Sequence, residues 1–378
     1  MIIKGYRYRI YPTEEQIIQI NKTFGCCRFV YNYFLANKIE LYKNENKSLS
    51  FYECCKLLTN LKKESIWLQE VDKFTLQNSL KDLDSAYQNF FRRVKNGERE
   101  TGFPKFKSRR DNTQSCRSSF NLTLKKYPNM KILFDENTIS LPKLKNIKCK
   151  LHRKFDGKIL SATLSKTPSG KYYVSFNVEC EHEVLPKNNN SVGIDLGVKD
   201  LVITSDGEVI NNNKTTYKYE KKLAKLQRQF AKKKKGSNNS KKHRVKVARL
   251  HEKITNIRKD ILHQTSSKLI KENQLIFSED LNVKGMVKNH NLAKSVHDCG
   301  WNELTRQLQY KAEWNGRVYH KVDRFFASSQ LCSECGYKNT ETKNLNVRFW
   351  ICPECNNEHD RDINAAINIL NQGLKDIV

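Results

Sequence analysis

Four cysteines, Cys332, Cys335, Cys352 and Cys355, stand as two C-x-x-C pairs separated by residues 336–351. Each pair makes a tight knuckle whose thiolates can face one tetrahedral ion, and the intervening stretch is long enough for a hairpin that brings the pairs together. The spacing predicts one structural Zn²⁺ in a ribbon-like module. A disulfide framework is the weaker alternative. The chain opens Met1-Ile2-Ile3-Lys4-Gly5-Tyr6 without a secretory apolar segment, and no apolar run approaches membrane-spanning length. A reducing, cytoplasmic compartment with no membrane partner is therefore expected, where metal is favoured over disulfide. The other cysteines, Cys26, Cys27, Cys54, Cys55, Cys116, Cys149, Cys180 and Cys299, lack such spacing and read as small buried hydrophobes. Gly336 and Asn356, one after each knuckle, both tolerate the left-handed backbone that a knuckle needs.

Three carboxylates form a second constellation. Asp195 falls at the end of an expected strand, Glu279 at the end of another, and Asp362 at the start of an expected helix. Strand ends and helix starts in a central sheet can converge on one point although far apart in sequence. Carboxylates so placed bind Mg²⁺, which takes oxygen ligands and keeps waters for substrate phosphates. Two such ions activate water, neutralise a scissile phosphate and stabilise the departing 3′ oxygen. The expectation is that side-chain oxygens of all three residues meet in one divalent-ion pocket. Singly each acid is ambiguous: an Asp after a strand is often a turn former, and Asp362 can be read as an N-cap. Asp200, Asp206, Asp280 and Asp360 are read as structural neighbours.

The elements that must position these groups follow from periodicity. Residues 2–10 read as a strand, and Thr13 with Gln16 as a capping box opening a helix with Ile17, Ile20 and Phe24 on one face. A further helix carries Leu76, Leu80, Leu83, Tyr87, Phe90 and Val94 and ends at Asn96-Gly97. From about Gly102 the chain turns to short alternating segments, among them residues 131–134 and 172–178, which predict a β-rich domain. Residues 187–190 read as a linker. Beyond it come a buried strand at 191–194, a hairpin around Asp206-Gly207, and two basic helices through Leu223 and Ile254. A strand at 275–277, a helix from Trp301 to Gly316, a strand at 318–322 and a helix with Ile363, Ala366, Ile367 and Leu370 complete the reading. No internal repeat is evident.

A chain of 378 residues holds two to four domains. Its 69 Lys and Arg against 40 Asp and Glu leave a net charge of +29. Such an excess points to a polyanionic partner, because each phosphate met by Lys or Arg releases condensed counterions. The bland alternative is a lysine-rich soluble protein with a solvated charge run at residues 232–235.

On these residues the chain resembles TnpB, the RNA-guided nuclease family of insertion sequences related to type V CRISPR effectors. The matching stretches are residues 8–12, Val192-Gly193-Ile194-Asp195-Leu196-Gly197, residues 279–286, residues 329–336, and Cys352-Pro353-Glu354-Cys355 through residues 359–366. They span essentially the whole chain and are most specific in its C-terminal half. Asn356 stands where a glycine is usual, and Ala327 where proline commonly precedes the paired serines.

The resemblance implies an α+β multidomain fold. Its parts are a β-barrel wedge domain (1–12 and 103–186), a helical recognition lobe (13–102), and a split RNase H-like, RuvC-type α/β nuclease domain (187–328 and 359–378) with a basic helical hairpin at 214–270. A zinc ribbon (329–358) serves as target-nucleic-acid-binding module. It assigns Asp195, Glu279 and Asp362 as catalytic Mg²⁺ ligands. It implies a guide RNA from the transposon end and double-stranded target DNA opened beside a short flanking motif and cut on both strands. A monomer bound to RNA, associated with the prokaryotic nucleoid, is the expected state. The alternative is a nuclease-inactive RNA-guided repressor or targeting protein; such relatives typically lose a carboxylate, and this chain keeps all three. A strand-joining transposase lacks support, since no tyrosine or serine recombinase site is visible. A zinc-ribbon transcription factor leaves most of the chain unexplained.

Overall fold

The computed structural model describes all residues except 112–113, 120–129, 345 and 378. The chain divides into two compact units, Met1–Glu181 and His182–Val378.

In the first unit, β1 (Ile2–Tyr11) leads into α1 (Glu14–Glu45). The expected capping box is present: Thr13 Oγ1 accepts from Gln16 N at 3.3 Å and Gln16 Oε1 accepts from Thr13 N at 3.0 Å. The helix α2 (Phe51–Glu64) opens with a second box, Ser50 with Glu53, and α3 (Lys73–Lys95) is capped by Asp72. Phe34, Leu35, Leu68, Leu76 and Leu80 form the core of these three helices. The strands β2 (Gln114–Ser119), β3 (Lys131–Leu133), β4 (Thr138–Leu141), β5 (Leu144–Lys150), β6 (Lys158–Lys166) and β7 (Tyr172–Cys180) join β1 in a seven-stranded sheet of order β2-β6-β7-β1-β5-β4-β3. All its pairings are antiparallel, and its inward residues, Tyr8, Ile10, Val174, Phe176 and Val178, are fully buried or nearly so.

The second unit is built on a five-stranded sheet of β8 (Ser191–Asp195), β9 (Asp200–Thr204), β10 (Val209–Asn211), β11 (Leu275–Glu279) and β12 (Val318–Val322), in the order β10-β9-β8-β11-β12. The hairpin predicted at Asp206-Gly207 joins β9 to β10, with Gly207 at φ +82°. The strands β8, β11 and β12 run parallel, as the long helical crossovers between them require. These crossovers are α4 (Thr215–Ala231) and the 35-residue α5 (Asn238–Glu272), then α6 (Val283–Met286), α7 (His290–Cys299) and α8 (Trp301–Asn315). The sequence reading missed α6 and α7, whose few apolar residues set no visible period. A small ribbon, β13 (Phe349–Ile351) paired with β14 (Glu358–Asp360), follows, and α9 (Arg361–Asp376) closes the unit.

Two glycine contacts seat α9 on the sheet. A Cβ on Gly193 of β8 would lie 2.1 Å from Ala366 O, and one on Gly373 of α9 would lie 2.1 Å from Phe277 of β11. The helix therefore lies directly over both strands that end in the predicted acids, burying Ala365, Ala366 and Ile369.

Candidate active site and metal centre

Parallel pairing brings two of the acids together. The register sets Ile194 opposite Ser278, so Asp195 and Glu279 leave neighbouring strands at the same carboxyl end. Their carboxyls share a hydrogen bond. Burial raises the pKa of the Asp195 carboxyl well above the usual carboxylate range; the charges of Glu279 and Asp362 raise it further, while Arg361 opposes them. Burial also raises Glu279, against the hydrogen bonds it takes from Asp195 and the Leu196 amide. Two like charges this deeply buried disfavour each other's ionisation, which falls most heavily on Asp195.

Asp362 sits in the first turn of α9, but its expected alternative role as N-cap belongs to Asp360. Asp360 Oδ1 accepts from Asp362 N at 2.9 Å and Ile363 N at 3.1 Å. With the cap supplied elsewhere, the Asp362 carboxylate is free to face the ribbon, where Arg348 Nη1 donates to its Oδ2 at 2.8 Å. Asp362 acts on Asp195 through its charge. Among the described residues the three carboxylates do not close into a cluster with all ligand atoms within 4.8 Å of one another; the four cysteines do. The reason is electrostatic: a third unneutralised carboxylate is repelled by the other two and pairs with the nearest guanidinium. The neighbouring acids read as structural do pair locally, Asp280 with Arg324 and Lys321, and Asp200 with Lys199.

The cysteine site has two matched knuckles. Cys332 N donates to Tyr337 O at 2.8 Å and Gly336 N to Cys332 O at 2.9 Å; Cys352 N donates to Asn357 O and Asn356 N to Cys352 O, each at 2.9 Å. Gly336 and Asn356 take φ of +78° and +57°, the left-handed backbone expected of both. The sulfurs approach closely across the knuckles, Cys332 to Cys355 at 3.6 Å and Cys335 to Cys352 at 3.5 Å. Burial raises the Cys352 thiol, but the amides of Cys355 and Glu354 and the adjacent thiols Cys335 and Cys355 outweigh it, bringing it to about 7. Four sulfurs drawn together by two matched knuckles suit a tetrahedral thiolate-bound cation.

Several residues at the site escaped the sequence reading. Arg348 is one. His359 is another: its Nε2 lies 3.0 Å from Cys332 Sγ and its ring packs on Trp350. Asn364 and Asn368, one turn apart on α9, tie that helix to the ribbon base. Asn364 Nδ2 donates to Leu331 O at 2.7 Å, and Asn368 Nδ2 donates to Ser328 O at 2.8 Å. Their spacing of four on an otherwise apolar face was the available signal. Arg361 is buried, with its Nε unpartnered among the described residues.

The basic hairpin of α4 and α5 is fastened from within. Asp298 on α7, 8% exposed, accepts from Thr216 N, Thr216 Oγ1 and Arg258 Nη2, so one carboxylate secures three helices.

Three family models match the chain: an IS605 OrfB model described as "Probable transposase" over residues 175–290, a Cas12f1-like TNB domain over 301–369, and an IS605 OrfB helix-turn-helix domain over 1–47. Residues 1–47 are in fact one strand followed by one unbroken 32-residue helix. A Streptomyces pristinaespiralis protein named "Putative RNA-guided DNA endonuclease" is 37% identical over 98% of this chain and 89% of its own length. The similarly named InsQ of Escherichia coli K12 is 34% identical over 98% and 92%. Among solved structures, the Cas12f1-sgRNA-target DNA complex superposes with a TM-score of 0.63 at 14% identity, covering 98% of this chain and 99% of that one. That likeness extends to the fold.

Proposed function

The chain belongs to the TnpB family of insertion-sequence RNA-guided DNA endonucleases, and from that membership we propose that it cuts DNA at a Mg²⁺ site formed by Asp195, Glu279 and Asp362. A guide RNA and double-stranded target DNA are its partners, in keeping with the +29 charge. Among the described residues no helix is long and apolar enough to cross a membrane.

One observation carries the assignment: Asp195 and Glu279 emerge at the same end of adjacent parallel strands with their carboxyls hydrogen-bonded. The crevice outside the carboxyl ends of parallel strands is where open α/β sheets bind ligands. The donors fit a hard divalent cation, since all are carboxylate oxygens and two of them are buried together. When bound, Mg²⁺ lowers the pKa of water and offsets charge on the scissile phosphate. For its part, the Asp195–Glu279 pair must be ionised to hold the ion, and Asp362 must turn from Arg348. Arg348, so released, presents a guanidinium fork matched to a phosphate. Helix α9, seated at Gly193 and Gly373, carries Asp362 in its first turn.

The domain assignment goes with this reading: wedge at 1–12 and 103–186, recognition lobe at 13–102, RuvC-like nuclease at 187–328 and 359–378, and zinc ribbon at 329–358 with Zn²⁺ on Cys332, Cys335, Cys352 and Cys355. Supercoiled plasmid carrying the target, incubated with protein, guide and Mg²⁺, tests it. Wild type should linearise the plasmid, and Asp195→Ala should leave it intact while guide and target binding persist; unaltered cleavage by the variant removes the site.

A further inference from the structure

Two cysteines outside the ribbon meet inside the first unit. Cys27 of α1, 6% exposed, belongs to the core of the three helices, and Cys116 of β2 packs against that core. The start of α3 brings them together. Cys27 Sγ lies 3.9 Å from Thr75 O, to which Ser79 Oγ also donates at 3.3 Å. From the strand side, Ser118 Oγ donates at 3.3 Å to Asp72 Oδ2, the same oxygen that accepts from Thr75 N at 2.9 Å. Arg117 Nη2 donates to Asp82 Oδ1 at 2.7 Å, and Asn78 Nδ2 donates to Ser119 Oγ at 3.0 Å. The three residues after Cys116 are thus tied to the helix on which Cys27 also rests, and the two thiols share a hydrogen bond.

The bland reading of such a pair is two small apolar side chains in contact. The other buried thiols fit that reading: burial is the first cause that raises Cys26, Cys54, Cys149 and Cys299, as it does for an inert core cysteine. Cys27 differs. The hydrogen bond from Cys116 is the main reason its thiol sits below the ordinary value, and the same bond raises Cys116. Cys27 is therefore the nucleophilic sulfur and Cys116 its proton donor. An approach exists from the strand side. The strand β2 ends its sheet, paired with β6 alone, and Cys116 on it is half-buried, so a solute the size of water has only one edge strand to pass.

We propose that Cys27 and Cys116 form a reversible oxidation site, which a peroxide closes into a disulfide between α1 and β2. In the first step the Cys27 sulfur attacks one oxygen of hydrogen peroxide. The O–O bond breaks, water leaves, and Cys27 becomes a sulfenic acid. The Cys116 sulfur then attacks Cys27, the S–S bond forms, the S–O bond breaks, and the Cys116 proton leaves with the hydroxyl as a second water. Two thiols lose two electrons and two protons, and one peroxide is reduced to two waters. Under reducing conditions both thiols stay free, so the bond is of the transient, redox-sensing kind. It staples α1, read as part of the recognition lobe, to β2, read as part of the wedge.

The test needs no cleavage and does not depend on the site proposed above. Reduced full-length protein in the presence of Zn²⁺ is treated with hydrogen peroxide, its remaining thiols are blocked with N-ethylmaleimide in denaturant, and tryptic peptides are mapped by mass spectrometry without reduction. The peptide of residues 23–28 should appear joined to that of residues 111–117, lighter by two hydrogens than their sum, and the two should separate on treatment with dithiothreitol. The link should survive Cys26→Ser and disappear in Cys27→Ser and in Cys116→Ser; the wild-type map decides alone should a variant not fold. Since the bond closes a loop of roughly ninety residues, the linked protein should melt about 5–15 °C above the reduced form. Recovery of Cys27 and Cys116 as blocked thiols or sulfinic acids, a link that survives Cys27→Ser, or equal melting of the linked and reduced forms overturns the inference.

Discussion

The acid pair makes the free protein less stable than it need be. Asp195 titrates above its unfolded value because burial and the Glu279 charge disfavour its ionised form, and Glu279 does so because of burial. A carboxyl raised on folding binds more protons in the native than the unfolded state, so its contribution is fully present below the unfolded pKa, near 4, and is lost as pH rises through the folded one. Without divalent ions, Asp195→Asn should therefore melt higher than wild type at pH 7 and lose that advantage as pH falls towards 4. A series of melts by circular dichroism reads this directly; equal melting temperatures at pH 7 would show that the pair stores no repulsion. Mg²⁺ should raise the wild-type midpoint by mass action and leave Asp195→Asn little changed. At this scale the sequence was partly legible. Acids at strand ends and paired C-x-x-C spacings are local signals, so Asp195, Glu279 and the cysteines could be read directly. Arg348 and His359 could not, because their roles come from partners, Asp362 and Cys332, that only the fold brings near.

At the level of elements, α9 decides whether the third acid can reach the other two. Its seat on β8 depends on Gly193, where a methyl group would meet Ala366 O at 2.1 Å. Gly193→Ala should force the helix outward, costing about 1–3 kcal/mol of stability as overpacking does. It should also lower cleavage more than target binding; a cleavage assay alongside a filter-binding titration separates the two. The ribbon constrains the other end of the same lever, since β14 runs straight into α9, and Arg348, Asn364 and Asn368 bridge the two. Cys352→Ser, or a chelator strong enough to strip Zn²⁺, should then depress cleavage and the melting temperature together, although no cysteine touches the acids. Unchanged cleavage after verified zinc loss by atomic absorption would detach the ribbon from the site. The capping box of α1 and the strand alternation of β7 were plain in the sequence because each is a contiguous pattern. The α6–α7 segment was not, being short and polar, nor was the cap of α9. There Asp360 and Asp362 compete, and Asp360 takes the cap by accepting from the amides of Asp362 and Ile363.

Across the whole molecule the dominant quantity is the charge of +29. Guide binding should weaken steeply with ionic strength; a complex neutralising on the order of ten phosphates loses about 10³–10⁵ in affinity between 50 and 200 mM salt. Fluorescence anisotropy across a salt series gives the slope, and a flat series would place the recognition in uncharged contacts. Parallel strands β8, β11 and β12 demand long crossovers, and this is why the helices lie between the acids in sequence. The same order has a temporal side. During translation β8 and β11 emerge before Asp362, which arrives only with α9. A chain that stops before Arg361 would lack α9, and with it both Asp362 and the cover over Gly193 and Phe277.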